Sequence, residues 1–238
     1  MNWSIVSAIW RREMKSYFGS PAAYIVLAVF LTITGWIFTL NLFKENTASL
    51  RSVFDLLPFL LVIFAPAISM RLISEERRSG TMELLVTMPV RDFDVVAGKW
   101  LAAVTLWAVA LVLTFSYPFT ISMLGDADGG SIAAGYFGLL LLGGTYLSIG
   151  VLGSALTDSQ IVAFILSFLI SGVLAILSMV TPLIPGALAD VVQYLSTTYH
   201  FENIARGVID SRNVIYYLSV IFLSLLLASR ATLQRKFL

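Results

Sequence analysis

The sequence predicts an all-α membrane protein with six transmembrane helices, and three observations carry that prediction. Of its 238 residues, 58% are hydrophobic and only 12% charged, and the mean hydropathy is +0.90. An average soluble domain carries about 25% charged residues, so this chain has nowhere but lipid to hide its apolar surface. Six stretches reach the roughly 20 residues that a helix rising about 1.5 Å per residue needs to cross the hydrocarbon. The alternating segments of a β-barrel are absent, which leaves helices as the element that satisfies its own backbone in lipid.

The spans fall near 21–43, 53–72, 95–124, 131–156, 160–181 and 214–231, joined by short polar breaks. Pro58 and Pro66 in the second and Pro118 in the third lack an amide hydrogen, which predicts local kinks. Arg11, Arg12, Lys15, Arg71, Arg77, Arg78, Arg91, Lys99, Arg230, Arg235 and Lys236 fall on one side, against Lys44, Arg51, Arg206 and Arg212 on the other. An even number of spans returns both termini to the richer side, which the positive-inside rule makes cytoplasmic. Trp36 and Trp100 fall near span ends, as interface anchors do. The first 18 residues lack the apolar core of a signal peptide.

Three segments depart from a simple serpentine. In residues 3–18, Trp3, Val6, Trp10, Met14 and Tyr17 step by three or four into one stripe, with Arg11, Arg12 and Lys15 largely off it. That pattern predicts an amphipathic helix in the cytoplasmic interface, turned into the first span at Gly19-Ser20-Pro21. After the second span comes a charge cluster, Glu75, Glu76, Arg77 and Arg78. A two-turn helix is expected within 79–90, opened by Gly80 and Thr81 and stopped by Pro89. Glu83 suits its first turn, and Leu84, Leu85 and Met88 form an apolar face. A helix this short does not stand alone in water, so it needs a partner surface. Residues 182–212 are apolar but carry Asp190, His200, Glu202, Arg206 and Asp210 too regularly for a span. They predict one or two short external helices that dip into the outer leaflet or cap the bundle, shielded by protein.

The chemistry is marked by what the chain lacks. A net charge of +1 offers no basic patch for nucleic acid, and no cysteine supplies a disulfide, thiolate or nucleophile. No stretch matches the G-x-x-x-x-G-K-[ST] pattern that cradles ATP phosphates. The third to sixth spans hold few ionisable residues in their interiors, which argues against a proton- or ion-driven transporter. Asp158, in the turn Thr157-Asp158-Ser159-Gln160, reads as a cap for the fifth helix, with a coupling role as the alternative. A single histidine makes a poor metal site, and His200 reads as an interfacial residue that orients the external helix. Glu202 and Arg206, four apart, read as a surface pair. Gly144 with Ser148, and Gly150 with Ser154, give small-xxx-small spacings that suit either packing within the chain or a dimer contact. Ser116, Thr120, Ser167, Ser171 and Ser178 suit either a path lining or bonds to their own helix carbonyls.

Three motifs carry a resemblance to a known family. They are EERRSGTMELLVTMPV (Glu75 to Val90, with Gly98-Lys99 beyond it), LTDSQIVAF (Leu156 to Phe164) and HFENIARGVIDSRNVIYYLS (His200 to Ser219). With them the whole chain resembles the type-2 ABC exporter permeases, most closely the subgroup named after bacterial gliding motility. The resemblance implies a connecting helix before the first span, a coupling helix at Gly80–Pro89 and re-entrant helices between the fifth and sixth spans. It implies a cytoplasmic ATPase in two copies holding ATP and Mg, with no cofactor on this chain. A second permease subunit, identical or different, would complete the unit in the bacterial cytoplasmic membrane, in contact with membrane lipid. Glu75, Glu76, Arg77 and Arg78 would then fix the coupling helix through ion pairs with the ATPase or the connecting helix. The expected cargo is lipid-like, amphiphilic or polymeric. The alternative is a non-transporting anchor or mechanical component of an ATPase-linked surface machinery.

Overall fold

A computed structural model describes residues 2–45, 50–80, 91–125 and 128–234. In chain order the helices are α1 (Trp3–Gly19), α2 (Pro21–Glu45), α3 (Arg51–Ser69), α4 (Arg71–Arg78), α5 (Asp92–Leu113), α6 (Ser116–Leu124), α7 (Gly129–Leu156) and α8 (Gln160–Val180). A 3-10 turn (Thr181–Leu183) leads to α9 (Ala187–Leu195), α10 (Thr197–Ala205) and α11 (Ser211–Gln234). No strand occurs among the described residues. Six segments are long and apolar enough to cross a membrane: Pro21–Phe43, Arg51–Arg78, Asp92–Leu124, Gly129–Leu156, Gln160–Leu183 and Ser211–Thr232. The second combines α3 with α4, and the third α5 with α6.

The fourth span, α7, is the core of the bundle. Burial reaches 78% over its most apolar stretch, against 28% for the first span and 22% for the fifth. Its composition explains how neighbours come so close. A side chain added at Gly135, Gly143 or Gly150 would overlap Phe54 of α3, Trp107 of α5 or Ser69 of α3. The small residues singled out in the sequence all serve this packing within the chain. Gly144 accepts the Trp100 indole N–H on its carbonyl at 2.9 Å, and Ser148 and Ser154 are fully buried. Trp100 is thereby a packing residue on α7, not the interface anchor its position suggested.

Two spans are interrupted, for different reasons. Pro118 has no N–H for the Thr114 carbonyl, and the helix breaks between α5 and α6 at Thr114 and Phe115. The stranded carbonyl takes the Tyr117 N–H at 3.0 Å and the Tyr136 hydroxyl at 3.0 Å. Between α3 and α4 the break falls at Met70, four residues past Pro66 and at neither a proline nor a glycine.

The stripe on α1 faces protein. Val6 and Ile9 press on Gly98 of α5, and a Cβ there would lie 3.0 Å from Ile9. The Trp10 indole donates to Thr105 at 2.9 Å, and the Tyr17 hydroxyl to the Ile68 carbonyl at 3.1 Å. The third span covers most of this stripe, and of its five residues only Trp3 is largely exposed. Arg11, Arg12 and Lys15 are exposed, and of the three Arg12 reaches across to α4.

Candidate functional site

Four separate parts of the chain converge on α4, at the end of the bundle where α1 packs. This eight-residue helix closes at Ser79 and Gly80, where Gly80 takes φ +72° and donates to the Arg77 carbonyl at 3.1 Å. Glycine adopts that left-handed conformation without a Cβ penalty, and it is the usual residue just past a helix. Gly80 therefore ends α4, while Arg77 and Arg78 in the last turn suit the negative end of its dipole. Thr81, Glu83, Leu84, Leu85 and Pro89, and with them the expected coupling helix, lie outside the described residues.

Glu76 is the first tie. One carboxylate oxygen accepts from Arg12 of α1, and the other lies 3.0 Å from the Lys99 ammonium of α5. Lys99 also donates to Glu13 of α1 at 2.9 Å and to the Leu72 carbonyl of α4 at 2.6 Å. An ammonium has three N–H groups, and here three acceptors surround it. Its side chain is 1% exposed, so desolvation would be severe without those partners. Arg12, which also bonds Glu13 at 2.7 Å, brings the cluster to two cations and two carboxylates. Burial alone would raise the Glu13 carboxyl, but Lys99 and Arg12 outweigh it and hold the group below its ordinary value. The buried charge that the sequence placed at a span margin thus joins, among the described residues, a cluster of balanced charge that links α1, α4 and α5.

Arg77 is the second tie. Its guanidinium donates to the Ala231 carbonyl of α11 at 3.2 Å and lies 3.9 Å from Asp158. Ala231 lies near the end of the described part of α11, so Arg77 ties α4 to the sixth span. The N-cap of α8 is Ser159, which makes no side-chain cap, and Asp158 before it faces Arg77. Of the four charges in the sequence cluster, Glu76 and Arg77 turn inward, whereas Glu75 and Arg78 are exposed.

At the opposite end, α10 packs beneath α9 against α7. His200 is 1% exposed, a correction to its interfacial placement. Nε2 lies 2.8 Å from the Tyr194 carbonyl, which can only accept, so Nε2 carries a proton; Nδ1 meets the Asn213 side chain at 2.7 Å. The ring stacks on Tyr216 at 4.0 Å between centroids. One imidazole thereby pins α9, α10 and α11 together. Glu202 of α10 and Arg206, the residue that follows the helix, form an exposed pair at 4.0 Å. Beside them lies a cavity of about 430 Å³ lined by Arg51, Asp55, Asp128 and Ser131 among others.

Glu13 was not singled out from the sequence, although a signal was there. It lies between Trp10 and Tyr17 on the edge of the apolar stripe, and a carboxylate there needs a buried partner. That the partner is Lys99, 86 positions away, only the fold reveals. A family model described as ABC-2 family transporter protein matches residues 38–228, from within α2 to within α11. No curated protein matches the chain.

Proposed function

The chain belongs to the ABC-2 family of transporter proteins, and on that premise we propose that it is the permease subunit of an ATP-driven exporter. Its coarse role follows from the family: a multi-pass membrane component of an ABC transporter, with ATP turnover on a partner ATPase. In our reading the end of the bundle that carries α1 and α4 faces the cytoplasm, both termini lie there, and the membrane is the bacterial inner membrane. The ATPase, in two copies loaded with ATP and Mg, grips the segment 81–90. A second permease chain, identical or of another kind, completes the path, and the cargo is lipid-like, amphiphilic or polymeric. We read the three motifs as those of the gliding-motility subgroup.

The observation that carries this reading is the convergence on α4. This helix directly precedes 81–90, and Glu76 and Arg77 bond it to α1, α5, α11 and the turn before α8. A push on 81–90 therefore reaches the third and sixth spans through short charge-assisted contacts, which are among the stronger polar links in proteins.

Reversing charge at the hub tests the proposal. Glu76→Lys sets three cations together around one remaining carboxylate, Glu13. In the purified permease–ATPase complex reconstituted in liposomes, we expect this variant to lose co-assembly, or to turn over ATP without moving cargo. Wild-type assembly together with wild-type coupling would contradict the role given to α4.

A further inference from the structure

The joint between α3 and α4 is built by a residue from another helix. Met70 keeps helical angles, φ −54° and ψ −33°, and its N–H bonds the Pro66 carbonyl at 2.8 Å in ordinary register. In an unbroken helix the Met70 carbonyl would take the Ser74 N–H. Here the Ser154 hydroxyl of α7 stands between them. It accepts from the Ile73 N–H at 3.0 Å and the Ser74 N–H at 2.9 Å, and donates to the Met70 carbonyl at 2.8 Å. A hydroxyl offers one donor and two acceptor pairs, so this one is used to capacity. Ser154 is 0% exposed, so all three bonds lie within the packed bundle. One turn earlier Gly150 lets the α7 backbone lie against Ser69, the last residue of α3. A single stretch of α7 thus grips both sides of the joint.

A side chain inserted into the main-chain ladder is an established cause of a bend. The Ser74 hydroxyl bonds the same Met70 carbonyl at 2.6 Å, so if the Ser154 hydroxyl withdraws, that carbonyl keeps one partner and stands in register to take the Ser74 N–H as well, which would give the joint a second arrangement. We propose that Ser154 is the positioning residue of a hinge: its hydroxyl sets the angle of α4 against the second span, and its release lets α4 swing. That the swing is driven by an ATPase rests on the permease reading; the hinge itself does not.

The chain has no cysteine, so a single pair of spin labels can be placed at Arg78→Cys and Gly129→Cys, both exposed and at opposite ends of the bundle. With the isolated chain in lipid nanodiscs, we expect one narrow label-to-label distance. Ser154→Ala should add a second population, raising the released fraction about tenfold, the change implied when a buried N–H loses its partner. Ser154→Thr, which keeps the hydroxyl, should restore the single distance. An unchanged distance in Ser154→Ala overturns the hinge, and so does a second population that persists in Ser154→Thr, since packing would then set the angle.

If Ser154→Ala does not fold, hydrogen exchange on the unmutated chain decides. One hydroxyl holding two amides predicts that Ile73 and Ser74 exchange through one shared opening, apart from Leu72 and Glu75. Independent exchange of the two overturns the proposal. A hinge demonstrated in a chain that binds no ATPase would leave this inference standing and remove the permease reading, so the two failures are distinct.

Discussion

Lys99 shows what a single residue can hide. At the margin of an apolar run a lysine reads as a cation whose stem crosses the hydrocarbon edge while its head stays in water. The fold instead buries the head among Glu13, Glu76 and the Leu72 carbonyl. Its partners come from 86 positions upstream and from the preceding span, a relation no local pattern encodes. Glu76 and Arg77 were legible as a charge cluster, but their directions were not, because neighbours on a helix point roughly 100° apart and only packing decides which turns in. Removing one partner of a buried ion pair typically costs about 3–5 kcal/mol, so Lys99→Met should lower the detergent melting temperature markedly. The pH dependence follows from Glu13. Its carboxyl titrates below the ordinary 4.5, so its contribution to stability is complete above that pH and is lost as pH falls through the depressed value. Melting of the native chain should therefore be flat near neutrality and fall below about pH 4.5, and Lys99→Met should weaken that acid loss. An identical acid limb in both proteins would contradict the cluster.

At the scale of elements, period was legible and covering was not. The three-and-four spacing of Val6, Trp10, Met14 and Tyr17 marks α1 as amphipathic whether lipid or protein lies against it. What tells the two apart is Gly98, whose missing side chain admits Val6 and Ile9, and Glu13, whose charge would not suit an apolar interface. The kink near Pro118 could be read from the missing amide alone. The break at Met70 could not, because the hydroxyl inserted there comes from α7, 84 positions later. Glycine at 98 also gives a test of the packed α1. A Cβ there already approaches Ile9 at 3.0 Å and the Val6 carbonyl at 3.1 Å, so Gly98→Leu must push α1 away. Overpacking of this kind costs about 1–3 kcal/mol. We expect faster tryptic cleavage of folded protein at Arg11, Arg12 and Lys15, with the six spans intact. Cleavage at the native rate would mean that α1 does not rest on α5.

For the whole molecule, composition carried furthest. Apolar runs of span length leave few architectures open, since lipid demands that every backbone group be satisfied within a helix or a closed barrel. The order of burial among the spans was hidden, because a stretch must be apolar for lipid whether it faces lipid or protein. The glycines at 135, 143 and 150 were the one compositional trace that α7 lies at the centre. Family membership adds the transporter role, and α4 supplies a physical route by which an external motor could act on several spans at once. That route is the central claim, and it requires a motor docked on the segment after α4. The most direct test is to purify the tagged chain from its native membrane in mild detergent and identify its stoichiometric partners by mass spectrometry. The account predicts a P-loop ATPase bound to the native chain and lost when Leu84 and Leu85 are both changed to aspartate. A chain that emerges without an ATPase, in a detergent that preserves other ABC complexes, would contradict it.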